Sequence, residues 1–199
     1  MDSEVLINII KEEYEFFGKG RFKETDDPHY KRIGEYWKDG AAIDNINGRT
    51  KDSEGRNPAW SAAFISWVIR KAGGGGDFRY GAAHCHYIVQ AIRDRKSGKE
   101  AHYHAYDFDE YAPQVGDIIC VGRSYDKKLT FDNAEMRYIS DEWFPSHGDI
   151  VVGRNQKGNR LLAVGGNLSN SVKRKSFLLE GNGKLSPKTG IAILRLMPF

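Results

Sequence analysis

Three residues far apart in the chain have types that could carry out acyl transfer: Ser61, His147 and Asn167. A serine hydroxyl becomes a nucleophile when a histidine can take its proton. A third polar group can then hold the imidazole in the required orientation. Ser61 stands near the start of an apolar run whose pattern predicts a helix, so it would sit in the positive end of the helix dipole, which favours a developing anion. His147 opens a β-rich run, and Asn167 lies in Val164-Gly-Gly-Asn-Leu-Ser-Asn-Ser-Val172. Each has a plainer reading. Ser61 could be a small residue that lets helices pack, His147 a strand-end histidine bonded to a loop, and Asn167 a turn residue behind Gly165-Gly166.

Other residues invite chemistry less well. His84-Cys85-His86 with His102 and His104 could suggest zinc. Residues i and i+2 of a helix point roughly 200° apart, so His84 and His86 cannot share one metal, and none is expected. His84 is expected to face the active cleft and His86 the solvent. Cys85 as nucleophile is a minor alternative, since most buried lone cysteines are inert core. Ser124-Tyr-Asp-Lys127 and Lys188-Thr-Gly190 match a penicillin-binding signature pair by chance, because no apolar helix follows Ser124. No strand leads into a Gly-x-x-x-x-Gly-Lys phosphate loop.

The elements that must position these residues divide along the chain. Helical spacing predicts helices over 3–17, capped by Ser3 and stopped by Gly18, and over 28–39. Residues 40–57 read as loop. Asn57 as N-cap and Pro58 as first helical residue then predict a helix running to Gly73. Its apolar residues cover nearly the whole circumference, which marks a buried helix. A flexible loop over 73–76 and a helix over 81–95 follow. From residue 115 the period becomes that of strands, at 116–122, 147–153, 160–165, 171–179 and 190–197, separated by tight turns. The class expected is α+β, with N-terminal helices, a buried central helix and a C-terminal antiparallel sheet. One domain spans 1–199, with 1–57 as a helical extension and 58–199 as the core. The long segment between Gly122 and Ser146 is either a substrate wall or an aromatic cap on the sheet edge.

Composition narrows the classes. The chain has 199 residues, 40% hydrophobic and 29% charged, which excludes a disordered tail. No apolar stretch reaches the ~18–20 residues of a membrane helix, so no membrane partner is expected. A net charge of +3, with scattered Lys and Arg, argues against nucleic acid. Two cysteines make neither a disulfide framework nor a four-thiolate zinc site. The first residues carry acids where a signal peptide would carry bases, so synthesis in the cytoplasm without an export signal is expected.

Pro58-Ala-Trp-Ser-Ala-Ala-Phe-Ile-Ser resembles the Trp-Cys-Ala-Ala-Phe helix of papain-like cell-wall peptidases of the NlpC and CHAP type. Gly116-Asp-Ile-Ile, Ser146-His147-Gly-Asp-Ile-Val-Val-Gly153 and Val164-Gly-Gly-Asn-Leu-Ser-Asn-Ser-Val172 are similar to later segments of those enzymes, in the same order. A narrower resemblance is to domain-of-unknown-function family 2272, through Gly34-Glu-Tyr-Trp37, the Trp60-Ser-Ala-Ala-Phe-Ile-Ser66 helix and Ala83-His84-Cys-His-Tyr-Ile88. These resemblances imply a papain-like hydrolase that cleaves an amide bond in peptidoglycan or another peptide. Ser61 would be its nucleophile, His147 its base and Asn167 the orienting residue. Trp60, His84 and Tyr87 would contact substrate, and no cofactor would be needed. A bacterial toxin or lysis enzyme would fit, delivered to the periplasm or cell wall by a specialised secretion or phage route and held in check by an inhibitor protein.

The departure is Ser61 itself, where the papain-like families carry cysteine. A thiolate can persist at a helix N-terminus beside His⁺, whereas a serine alkoxide cannot. Serine therefore needs a true general base within hydrogen-bond reach and an oxyanion site. The competing readings are a native serine nucleophile, a cysteine peptidase inactivated by a Cys-to-Ser change, and a papain-like fold that only binds.

Overall fold

The computed structural model describes residues 1–139, 143–186 and 190–198. Lys188 and Thr189 of the chance signature lie outside the described residues, as do residues 140–142 of the long segment. Helix α1 (Ser3–Phe16) is capped by Asp2, whose carboxylate accepts from the Glu4 amide at 2.8 Å, so Ser3 is its first turn and not its cap. Helix α2 (His29–Glu35) runs into a π-turn over Tyr36–Gly40. Gly40 is required there, because a Cβ would stand 2.3 Å from the Ala63 carbonyl oxygen.

The central helix α3 (Ser61–Lys71) begins three residues later than Asn57 and Pro58 predict. The Asn57 side-chain amide instead donates to the carbonyls of Gly48 at 2.7 Å and Thr50 at 3.3 Å, which ties down the preceding loop. Trp60 takes the cap position and offers no side-chain cap. The first amides of α3 therefore lack intrahelical partners, and Ser61 stands in its first turn. Residues Ala62 to Ile69 are buried all round, as the pattern predicts. Helix α4 (His84–Ser97) starts with His84 and ends at Gly98, whose φ of +68° suits a left-handed C-terminal stop.

The strands are β1 (Tyr103–Tyr106), β2 (Ile118–Gly122), β3 (Ser146–Arg154), β4 (Arg160–Gly165), β5 (Lys173–Leu179), β6 (Leu185–Ser186) and β7 (Ala192–Leu196). They form one seven-stranded antiparallel sheet in the order β1-β7-β2-β3-β4-β5-β6. Period-two alternation separates two apolar clusters. Ile118, Cys120, Ile150, Val164 and Leu194 join the helices in the larger cluster, while Ile119, Val151, Ala163 and Ile193 face the other way with Phe108 and Leu161. Leu6, Ile10, Phe17, Ile33, Tyr36 and Trp37 belong to the larger cluster too, so α1, α2 and the π-turn pack into the core.

The sheet register places Val121 opposite His147 and Gly122 opposite Ser146. The segment between them is therefore an excursion from the end of the β2–β3 hairpin. It contains a 3₁₀ turn at Ser124–Asp126 and helix α5 (Phe131–Ile139). Arg93 and Lys96 of α4 hold α5 through Glu135, at 3.2 and 2.5 Å.

Candidate active site

Ser61 and His84 are the first residues of α3 and α4, and the two helix starts converge. The Ser61 Oγ lies 2.7 Å from His84 Nε2. His84 Nδ1 is in short contact with the hydroxyl of Tyr87, one turn further along α4. Tyr87 is buried, and burial holds its phenol well above the usual range, so it stays protonated. When Nδ1 donates its hydrogen to the Tyr87 oxygen, Nε2 is left with a lone pair for the Ser61 hydroxyl. Burial pushes His84 well below the usual imidazole range, with the field of His147 acting in the same direction. The N-terminus of α4 also disfavours a cation there. His84 is therefore neutral at neutral pH.

His147 is held differently. On β3, residues 147, 149 and 151 share a face, and His147 Nε2 lies 2.9 Å from Asp149 Oδ1. Lys175, on β5, donates to Asp149 Oδ2 at 2.6 Å. Asp149 is fully buried; burial alone would raise it, but His147 and Lys175 together hold its carboxyl down to about 2. Burial lowers His147 despite its carboxylate. Gly165 permits this packing, since a Cβ there would come 2.1 Å from Asp149 Oδ1 and 3.0 Å from His147 Nε2. The His84 and His147 rings meet with centroids 5.4 Å apart. Gly148 makes room for the His84–Tyr87 contact, because a Cβ would lie 2.5 Å from the Tyr87 hydroxyl and 3.3 Å from His84 Nδ1.

A cleft of about 340 Å³ opens over this group, and Ser61, His84, His147 and Asn167 all line it. Arg123, Ser124, Trp143, Phe144 and Pro145 of the long segment form one wall of the cleft. Among the described residues lining a larger cavity of about 640 Å³ near Tyr111, Asp117 and Arg195 there is no nucleophile–base pair. The Asp117 carboxylate there is occupied by the amides of Gln114 and Leu196, at 2.6 and 2.8 Å.

Several expected roles shift. Ser61 is paired with His84 and not with His147. Asp149, and not Asn167, is the partner of His147; Asn167 lines the cleft in a left-handed conformation of φ +56°. Trp60 is core: it is 1% exposed, packs against Tyr36 and Phe17, and donates to Glu24 Oε2 at 2.5 Å. Tyr87 lies beneath His84, outside the cleft lining. Only His84 of the three expected substrate contacts reaches the cleft. Cys85 and Cys120 are free and buried, and burial raises both thiols. His86 meets the Tyr138 hydroxyl at 3.1 Å, His102 the Asp77 carboxylate at 2.8 Å and His104 the Lys99 carbonyl at 2.8 Å. Among the described residues no group of three or more His, Cys, Asp or Glu could hold a metal ion, and no helix is long and apolar enough to cross a membrane.

Asp149 and Lys175 complete the site without belonging to the Ser61, His147 and Asn167 set. The spacing Ser146-His147-Gly148-Asp149 carries a signal for the first, since i and i+2 of a strand share a face. Lys175 becomes visible only through the β4–β5 register.

The fold and cleft define an α+β protein with a Ser–His pair at converging helix starts. The chain belongs to the family described as uncharacterized protein conserved in bacteria (DUF2272), whose model matches residues 24–196. Comparisons with curated proteins and with solved structures give no match.

Proposed function

We propose that this chain is a serine-dependent hydrolase of an amide bond, with Ser61 as nucleophile and His84 as its general base. The observation that carries the reading is the 2.7 Å separation of Ser61 Oγ and His84 Nε2 at the mouth of a cleft. That distance lies within the range for direct proton transfer. In the first step His84 Nε2 takes the hydroxyl proton as Oγ bonds to the substrate carbonyl carbon. The carbonyl oxygen becomes an oxyanion, served by unpartnered amides at the start of α3. The C–N bond then breaks as His84 returns the proton to the leaving amine, leaving an ester on Ser61. Water, deprotonated by His84, attacks that ester; the bond between the acyl carbon and Ser61 Oγ breaks, His84 returns the proton to Oγ, and the acid is released.

The His147–Asp149–Lys175 chain sits behind the pair. Asp149 orients His147, and its negative charge offsets part of the cost of a cation on His84. Helix-borne nucleophile, strand-borne histidine and glycine-bracketed strands agree with the papain-like arrangement implied by the sequence resemblance, with His84 inserted between nucleophile and strand histidine. On that resemblance the substrate is a peptide of bacterial peptidoglycan, and an inhibitor protein is the corresponding partner.

A second reading is a non-catalytic binding domain. One observation favours it: His84 is backed by a neutral phenol and not by a carboxylate, so its imidazolium gains little stabilisation. Incubation with isolated cell-wall sacculi separates the two. Release of new amines by the wild type, abolished in Ser61→Ala, supports the hydrolase. A silent wild type with an active Ser61→Cys variant supports an inactivated cysteine peptidase, and silence of both supports binding alone.

A further inference from the structure

Among the described residues lining the cleft, Arg123 is the one Lys, Arg, Asp or Glu side chain. Arg123 is exposed and stands at the end of β2, where its backbone amide donates to the Pro145 carbonyl at 2.8 Å and fixes its place on the wall. Among the described residues no carboxylate pairs with its guanidinium, although the neighbouring Arg137 pairs with Asp126. An exposed arginine beside an apolar wall of Trp143, Phe144 and Pro145 is suited to bidentate binding of a carboxylate.

We infer that Arg123 forms a carboxylate subsite, so that the preferred substrate bears an anionic group beside its scissile carbonyl. The inference rests on the cleft being a substrate site, as proposed above. The Arg123 field reaches both His84 and His147 and disfavours their charged forms. A bound carboxylate would neutralise that field and ease proton uptake by His84. Anion binding and base strength would then be coupled, and a neutral substrate would gain neither.

Binding and turnover can be measured separately. Hippurate and hippuramide differ by the carboxylate, and their affinities for wild type, Arg123→Gln and Arg123→Lys can be compared by calorimetry. Wild type should bind hippurate at least tenfold more tightly than hippuramide. Arg123→Gln should lose that preference and Arg123→Lys should keep part of it. Equal affinity for the two ligands, including no measurable binding of either, overturns the subsite. So does a preference that survives in Arg123→Gln, which would assign the anion to the helix starts. The hydrolase reading is tested in parallel with neutral and carboxylate-bearing esters on wild type and Ser61→Ala. Turnover dependent on Ser61 but indifferent to charge leaves that reading intact while removing the subsite. Charge-dependent binding without Ser61-dependent turnover does the reverse.

Discussion

The imidazoles of His84 and His147 face each other with ring centroids 5.4 Å apart, yet each is held by a different partner. His84 is bonded to the nucleophile and a phenol, His147 to a buried carboxylate. Two histidines beside one serine could exchange roles, and substitution separates them. His84→Ala should lower kcat by about 10²–10⁴-fold, the usual worth of a general base. His147→Ala should cost less, and its loss should be partly reproduced by Asp149→Asn. If His147→Ala were the more damaging change, His147 would be the base, as the sequence alone suggests.

The acid side of the pH–rate profile should lie below the ordinary imidazole value of 6.5, because burial lowers both His84 and His147. The base must be neutral to act, so activity should persist as pH falls through 6.5 and then decline. An acid limb at or above 6.5 in kcat/KM would show that neither buried ring is the base.

Asp149 links the site to stability. Its carboxyl sits at about 2, below the usual 3.8, so its contribution is fully present above about pH 4 and is lost as pH falls through 2. The difference of nearly two pH units corresponds to about 2 kcal/mol. Urea unfolding of wild type and Asp149→Asn at pH 6, 4 and 2 should give a gap that is steady at the first two and shrinks at the third. A gap independent of pH would contradict the hydrogen bond of Asp149 with His147 and its ion pair with Lys175.

Gly165 tests the tightness of the same packing. Gly165→Ala would place a methyl 2.1 Å from Asp149 Oδ1, so the carboxylate or the strand must shift. Loss of about 1–3 kcal/mol is expected, as for other overpacked sites, together with reduced kcat in the fraction that folds. Full activity and unchanged unfolding would place Asp149 elsewhere.

Trp60 separates core from cleft. Trp60→Phe should destabilise by about 1–3 kcal/mol, because Glu24 loses its buried donor, while KM stays unchanged. A raised KM with normal stability would restore Trp60 as a substrate contact.

Much of the architecture is legible from local pattern. The buried helix, the change from helical to strand period near residue 115 and the placement of Ser61 at a helix start all follow from side-chain periodicity and turn residues. The helix start itself is misread, because Asn57 can cap a helix or pin a loop, and only the position of Gly48 decides between them. β1 is hidden because Tyr103 and Tyr106 flank a histidine and an alanine without strong alternation, and its pairing with β7 is the longest-range in the sheet. The nucleophile–base pairing is the deeper miss. Ser61 to His84 is a contact between two helix starts, which no period reports, whereas His147 carries a recognisable motif. Asp149 was within reach of strand alternation; Lys175 was not, because it depends on tertiary register.

The most direct measurement is the mass of the protein after reaction with a fluorophosphonate, which bonds covalently to an activated serine. Wild type should gain one phosphonyl group mapped to Ser61, His84→Ala should react at least a hundredfold more slowly, and Ser61→Ala should not react. Labelling no faster than that of the urea-unfolded chain, or at a residue other than Ser61, would contradict a serine activated by His84.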